Sequence, residues 1–307
     1  MASERTGRFR ESLRLLTGRD TIASADVTLR HLRQLGIRVP NPNRISQARD
    51  YLLHLGNQAE VAGAAVGDYE MVGEAFRTLV ESFFIVRAAD PGDPTQRDSL
   101  PRLLEGAETP GRDANPKARS TQFELFVYSL LRLGGVSGVS MGEPDIRIQA
   151  CTEFLGLAVK RLTSPAALEK RVKEAAGQIR DSGASGLIVL GLDPFVTGQT
   201  ERNATRYVRR ITSECAGLVT AREYSGFVLG IFGMGTRFFS AAPDGTLRLG
   251  IHFAPSLYLL APRRSHTRVL GKLATIGRGV LAGVNAQTQW LQAELRSGGG
   301  ADAPRER

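Results

Sequence analysis

Hydrophobic residues in the first third of the chain recur at the spacing of α-helices. Leu29, Leu32 and Leu35 would lie on one face of a helix, and residues 68–88 repeat this pattern over a longer stretch. Proline and asparagine residues at 40–43 separate the two segments, because proline cannot continue a helix. We therefore predict an all-helical N-terminal region over residues 1–89.

The pattern changes after residue 89. Residues 90–119 are rich in Pro, Gly, Asp and Arg and lack hydrophobic periodicity, which is typical of a linker. Beyond them, amphipathic segments alternate with short apolar runs, which predicts an α/β core with a mixed sheet flanked by helices over residues 120–262. Predicted strands cover 145–149, 154–159, 185–192, 226–232 and 246–260, the last with a break at Pro255, and predicted helices cover 122–131, 164–180 and 200–218.

The end of the chain has a weaker pattern. Residues 263–296 predict a C-terminal helical segment with several glycines, which packs on the core or on a second subunit of a homo-oligomer. Residues 297–307 are small and polar, and we expect a disordered tail there.

Residues 143–161 contain the candidate chemistry. Asp145 opens the alternating run Asp-Ile-Arg-Ile-Gln, which predicts a strand with one buried face. The apolar run at 154–159 predicts a second strand covered on both faces, and Lys160 follows it. A hairpin of these strands can place the Asp145 carboxylate beside the Lys160 ammonium. Such a pair suits phosphodiester hydrolysis, in which the carboxylate holds a divalent cation and the lysine orients water or stabilises phosphate charge.

These residues, Pro144-Asp145 and Ala158-Val159-Lys160, resemble the motif of the PD-(D/E)XK nuclease superfamily. The resemblance extends to the helix before the hairpin and to residues 168–192 after it, and it covers less than half of the chain. It implies a restriction-endonuclease-like fold and a Mg²⁺-dependent nuclease. In this superfamily the helix before the hairpin often carries a glutamate, and Glu124 lies in that helix.

The sequence departs from the family motif at Ala158. The family usually has Asp or Glu two residues before the lysine, and alanine cannot bind a metal through its side chain. One interpretation is an inactive nuclease that only binds. Another follows restriction endonucleases that take the second acid from the next helix, with thirteen residues between it and the lysine; here that acid is Glu174. A solvated helix glutamate is the ordinary alternative for Glu174.

Our first hypothesis is therefore a metal-dependent DNA endonuclease, for example in restriction or phage defence. The resemblance implies that Asp145, Glu174 and the Val159 carbonyl bind Mg²⁺ or Mn²⁺, that Lys160 positions the water, and that Glu124 contributes at the edge of the site. Magnesium is favoured because the candidate ligands are hard oxygens.

The chain is basic, with a formal net charge of +9 and a pI near 10.0, which favours a polyanionic partner such as DNA. The positive net charge could instead reflect the arginine-rich composition that a GC-rich genome produces. The basic residues on helices could likewise be ordinary solvent-exposed side chains. The candidate nucleic-acid-binding residues lie beside the predicted site or on the outer face of the 200–218 helix. They are Arg161, Lys173, Gln178, Arg202, Arg206, Arg209 and Arg210.

Other function classes have less support. The two cysteines, Cys151 and Cys215, make neither a disulfide framework nor a metal-binding pair, and no apolar run has the length of a membrane span. We expect a cytoplasmic protein without a membrane partner. Two further hypotheses stay open: a catalytically inactive nuclease fold that binds nucleic acid, and a protein whose basic surface assembles with an acidic protein partner.

Overall fold

The structure is a computed structural model. It describes residues 18–62, 69–90, 92–106, 117–150, 153–196, 201–220, 223–241 and 247–260, together with Gln289 and Ala293. The predicted tail, and the predicted C-terminal helical segment apart from Gln289 and Ala293, lie outside the described residues.

The N-terminal region is helical, as predicted. Its helices are α1 (Gly18–Gln34), α2 (Arg44–Ala62) and α3 (Tyr69–Ala88), and two shorter elements follow, α4 (Pro94–Ser99) and a 3-10 turn (Leu100–Leu104). Asp93 caps α4 by accepting hydrogen bonds from the amides of Thr95 and Gln96. Residues 94–104 thus form regular structure within the predicted linker of residues 90–119. Leu100, Leu103 and Leu104 of this stretch are buried.

The α/β character of the core is confirmed. Helix α5 (Lys117–Leu133) precedes the strands β1 (Val139–Gly142), β2 (Asp145–Ala150) and β3 (Glu153–Arg161), and α6 (Leu168–Asp181) leads to β4 (Ser185–Gly191). Helices α7 (Asp193–Val196) and α8 (Glu201–Thr220) lead to β5 (Val228–Ala241) and β6 (Leu247–Leu259). These strands form one sheet in chain order, in which β3, β4 and β5 are parallel and the other neighbours are antiparallel.

Pro255 does not interrupt β6, contrary to the expected break. It lies opposite Met234 in the pairing of β5 with β6. Strand β6 is at the edge of the described sheet, the position at which a strand can accommodate proline. Strand β1 was not predicted at all.

The sheet separates two hydrophobic clusters. Leu155, Leu157 and Val159 of β3 point to one side, where they join side chains of α1, α2, α3 and α5. Ala158 points to the other side, towards α6 and α8. The N-terminal helices therefore share a core with α5 and the sheet, although we predicted a boundary between them. Cys215 of α8 is buried in the second cluster, and burial raises the pKa of its thiol to about 12.

Among the described residues, no helix combines the length and the apolar character that crossing a membrane requires.

Candidate active site

The hairpin of β2 and β3 brings Asp145 and Lys160 together. Asp145 Oδ2 accepts a hydrogen bond from the backbone N–H of Val159 at 2.7 Å and another from Lys160 Nζ at 3.0 Å. Lys160 Nζ also donates to the Val159 carbonyl at 3.1 Å. Both side chains are 13% exposed. Burial raises the pKa of Asp145, although Lys160 and the Val159 N–H oppose the shift. The predicted carboxylate–ammonium pair is therefore present, and it keeps some access to solvent.

A pocket of about 520 Å³ lies beside this pair, between the start of α5, the end of β3 and one face of α6. Glu124 comes from α5, Val159 and Lys160 from β3, and Glu174 and Gln178 from α6. Three separate elements thus bring the predicted catalytic side chains Glu124, Lys160 and Glu174 to one cavity.

Nearby positive charges do not fully offset the cost of burying the Glu124 carboxylate in this pocket. Burial is the main cause that raises its pKa to about 7, and the negative charge of Asp145 adds to the shift. The charges of Lys160, Arg102 and Lys117 oppose it. A carboxylate with such a pKa gains from any cation that enters the pocket.

Glu174 lines the pocket but is paired along its own helix. Its Oε2 accepts a hydrogen bond from Arg171 Nη1 at 2.8 Å, and its Oε1 lies 3.9 Å from Lys170 Nζ. The Glu174 side chain is 37% exposed. Glu174 is therefore only partly exposed to solvent, and it does not contact the Asp145–Lys160 pair directly.

Gln178 lies one helical turn beyond Glu174. Its Oε1 atom is buried, and within the described part of the chain it has no hydrogen-bond partner. A buried amide oxygen without a donor is costly, so a group that enters the pocket and donates to this atom would be favoured. Lys173, by contrast, pairs with Glu169 at 2.6 Å on the same helix.

Ala158, the position of the missing acid, is completely buried. It lies in the cluster that includes Ala175, Ala176 and Ile179 of α6. Small side chains at this contact let α6 lie close to β3. That closeness brings the pocket face of α6 to the end of β3.

Arg161 lies on the opposite side of β3 from Lys160 and is only 6% exposed in its side chain. Its guanidinium contacts Glu81 at 3.4 Å and Glu74 at 3.5 Å, both in α3. Arg161 also lines the pocket, so its guanidinium is held by two carboxylates at the edge of the cavity, and nucleic-acid binding by Arg161 stays a prediction. The sequence analysis missed these ion pairs, although Glu74 and Glu81 are seven residues apart, about two helical turns, and therefore share one face of α3.

The outer face of α8 is basic, as predicted. Arg206, Arg209 and Arg210 are exposed, and Arg202 lies in the first turn of the same helix. Arg210 lies 3.5 Å from Glu214 and over the ring of Tyr207 at 4.8 Å.

No set of three or more His, Cys, Asp or Glu side chains in the described ranges is arranged to hold a metal ion. Comparison with known proteins adds no assignment, because no protein-family model, curated protein or solved structure matches the chain.

Proposed function

We propose that the chain is a metal-dependent endonuclease that hydrolyses DNA phosphodiester bonds on a restriction-endonuclease-like core. The observation that carries this proposal is the Asp145–Lys160 pair on neighbouring antiparallel strands, beside a pocket lined by Glu124 and Glu174. A carboxylate, a lysine and further acids around one cavity form a set that supports attack of water on a phosphodiester.

The donor chemistry fits a hard divalent cation. The carboxylates of Asp145 and Glu174, the Val159 carbonyl and the unpartnered Gln178 oxygen are all oxygen donors. The described acids are not gathered around one point, so side chains would have to move to hold the cation. Glu174 would have to exchange Arg171 for the cation, because these two side chains are now paired. When bound, Mg²⁺ or Mn²⁺ would supply Lewis-acid stabilisation of charge on the phosphate.

The side chains of the chain itself have separate tasks in this proposal. The ammonium of Lys160 donates hydrogen bonds to a phosphate oxygen or to the attacking water. Glu124, with a pKa of about 7, can accept or release a proton near neutral pH. The exposed arginines of α8 hold neighbouring phosphates.

The test is a plasmid-cleavage assay with Mg²⁺ or Mn²⁺. We expect Asp145→Ala, Lys160→Ala and Glu174→Ala each to lose at least about 10²-fold in rate, the scale of removing one transition-state contact. Glu169→Ala, on the same helix and in a partly exposed ion pair with Lys173, is the matched control and should stay active. Parental cleavage that survives Glu174→Ala would reject Glu174 as a ligand.

A second candidate function is nucleic-acid binding without cleavage. It is favoured by Ala158, whose methyl group replaces the usual acid inside an apolar cluster, and by the pairing of Glu174 with Arg171. Absence of cleavage on varied DNA substrates, together with salt-sensitive DNA binding in EDTA, would establish this alternative. Absence of DNA binding even at low salt would instead favour assembly with an acidic protein partner.

A further inference from the structure

A cluster of buried charges lies next to the pocket, on the side of β3 that faces α3 and α5, and Arg161 borders both. We call it the buried charge cluster, and it consists of Arg44, Glu74, Arg77, Glu81, Arg119, Arg161, Asp193 and the amide of Gln122. All of these residues except Arg77 are less than 9% exposed, and the Arg77 side chain is 11% exposed. The cluster joins helices α2, α3 and α5 to the end of β3 and the start of α7.

Two carboxylates of α3 are central to the cluster. Glu74 contacts the guanidinium groups of Arg77, Arg119 and Arg161. Glu81 receives a hydrogen bond from the Gln122 amide at 2.5 Å and lies 3.4 Å from Arg161 Nη1. Arg161 Nη1 also donates to the carbonyl of Arg119 at 3.4 Å.

Arginine is in excess in the cluster. The guanidinium groups of Arg77, Arg119 and Arg161 contact the carboxylates of Glu74, Glu81 and Asp193, and that of Arg44 donates to the Gln122 amide oxygen. Burial and the repulsion from Arg44 and Arg161 lower the pKa of Arg119 to about 9. Removal of one carboxylate would therefore leave buried cations uncompensated, and the chain around them would have to rearrange.

The cluster shares its backbone with the candidate active site. Arg161 follows Lys160 directly in β3, so the two side chains leave the strand on opposite faces. Arg119 immediately precedes Ser120, which lines the pocket, and Glu124 follows one turn later on α5. Any rearrangement of the cluster would therefore move the backbone that carries Lys160 and Glu124.

We propose that Glu74 and Glu81 of α3 are positioning residues for Lys160, which they fix in place through the guanidinium of Arg161. This proposal rests on the proposed function. The N-terminal helices are then part of the catalytic apparatus, and they are not a separable recognition module. Because rates depend on sub-ångström placement of catalytic groups, a support of this kind acts on turnover more than on substrate binding.

The test uses the full chain with Glu81→Gln, which keeps the shape of the side chain and removes its charge. The first readout needs neither metal nor DNA: an amine-reactive reagent labels the lysines, and mass spectrometry compares Lys160 with Lys170. Lys160 is 13% exposed and Lys170 is 78% exposed, so Lys170 is an internal reference. We expect labelling of Lys160 relative to Lys170 to rise several-fold in the variant.

The second readout is cleavage kinetics. We expect kcat to fall about 10- to 100-fold while KM changes little, because the defect lies in placement. Asp26→Asn is the matched control, since Asp26 forms an exposed ion pair with Arg49 in the same group of helices. This control should change neither readout.

The outcomes separate this proposal from the nuclease proposal. Unchanged Lys160 labelling in a folded Glu81→Gln chain would overturn the positioning role, whatever the cleavage assay gives. Raised labelling with no cleavage by the parent would retain the positioning role and reject the nuclease. If Glu81→Gln does not fold, Arg161→Lys is the second variant, because it keeps the positive charge and removes the planar guanidinium. The labelling of Lys160 relative to Lys170 then tests the positioning role in that variant.

Discussion

Lys160 and Arg161 are adjacent in the sequence, yet they serve two different regions of the molecule. Lys160 faces a pocket in which Glu124 is poorly compensated and Glu174 is held by a partly exposed arginine. Arg161 faces the buried charge cluster, where it contacts two buried carboxylates. One strand end can therefore supply a reactive group to one side and an anchor to the other. The Glu174 side chain in the pocket is partly exposed, whereas Glu74 and Glu81 on the anchor side are buried and each contacts two or more side chains.

The largest effect should come from the anchor side. Glu74→Ala removes the carboxylate that contacts three arginines, and we expect a loss of about 3–5 kcal/mol in the free energy of unfolding. Urea denaturation measures this change. Glu169→Ala, in an exposed pair with Lys173, should cost less than about 1 kcal/mol. Equal losses of unfolding free energy in the two variants would show that the buried charge cluster stabilises the fold no more than an exposed ion pair does.

A pH-dependent effect should follow from Glu124 on the pocket side. Its pKa of about 7 lies above the ordinary value, so the folded protein binds the proton more tightly than the unfolded chain does. The resulting stabilisation is complete at acidic pH and is lost as the pH rises through about 7. Relative to the parent, Glu124→Gln should therefore gain stability between pH 5 and 7, by at most about 3 kcal/mol, and then level off. A pH-independent difference would show that Glu124 titrates normally.

A smaller effect is expected at the solvent-exposed arginines of α8. Arg206→Glu combined with Arg209→Glu should weaken DNA binding at low salt by about tenfold or more, and the salt dependence should become shallower. Stability should change by no more than about 0.5 kcal/mol, because exposed side chains contribute little. Fluorescence anisotropy at several salt concentrations measures both quantities. Unchanged affinity in a folded double variant would exclude this surface from DNA binding.

The smallest effect should come from releasing Glu174. Arg171→Gln removes the partner that competes with a cation for its carboxylate. A half-exposed pair is worth about 0.3–1 kcal/mol, so Mg²⁺ affinity should rise about two- to fivefold. Calorimetric titration of Mg²⁺ into the variant and the parent measures this difference. An unchanged affinity would mean that Glu174 does not contribute to cation binding.

Several parts of the fold and site could be predicted from the sequence because they depend on local patterns. The alternation that begins at Asp145 and the apolar run before Lys160 predicted two strands, and their pairing followed from the short turn between them. The buried face of α8 followed from helical periodicity. Strand β1 was missed because Val139–Gly142 is too short to show a period.

The remaining features depend on contacts between residues that are far apart in the sequence. Glutamates at 74 and 81 in a helix would ordinarily be interpreted as solvated, and only the docking of α3 on α5 buries them. Glu174 pairs with Arg171 on the same helix, and the spacing of residues alone does not show whether Glu174 pairs there or points to a metal site. Metal binding by Glu174 therefore stays a prediction.

The order of the strands has a consequence for how the chain folds. Each described strand pairs with its neighbour in the sequence, so even the parallel pairs, which are joined through helices, link segments that are closer in the chain than the N-terminal helices are to β3. The contact of Arg161 with Glu81 spans 80 residues, and that of Arg44 with Gln122 spans 78. Because contacts at such separations are slow to form, we expect the charges of the N-terminal helices to lose their water late in folding. The pocket would then acquire its final shape only when the most distant parts of the chain have met.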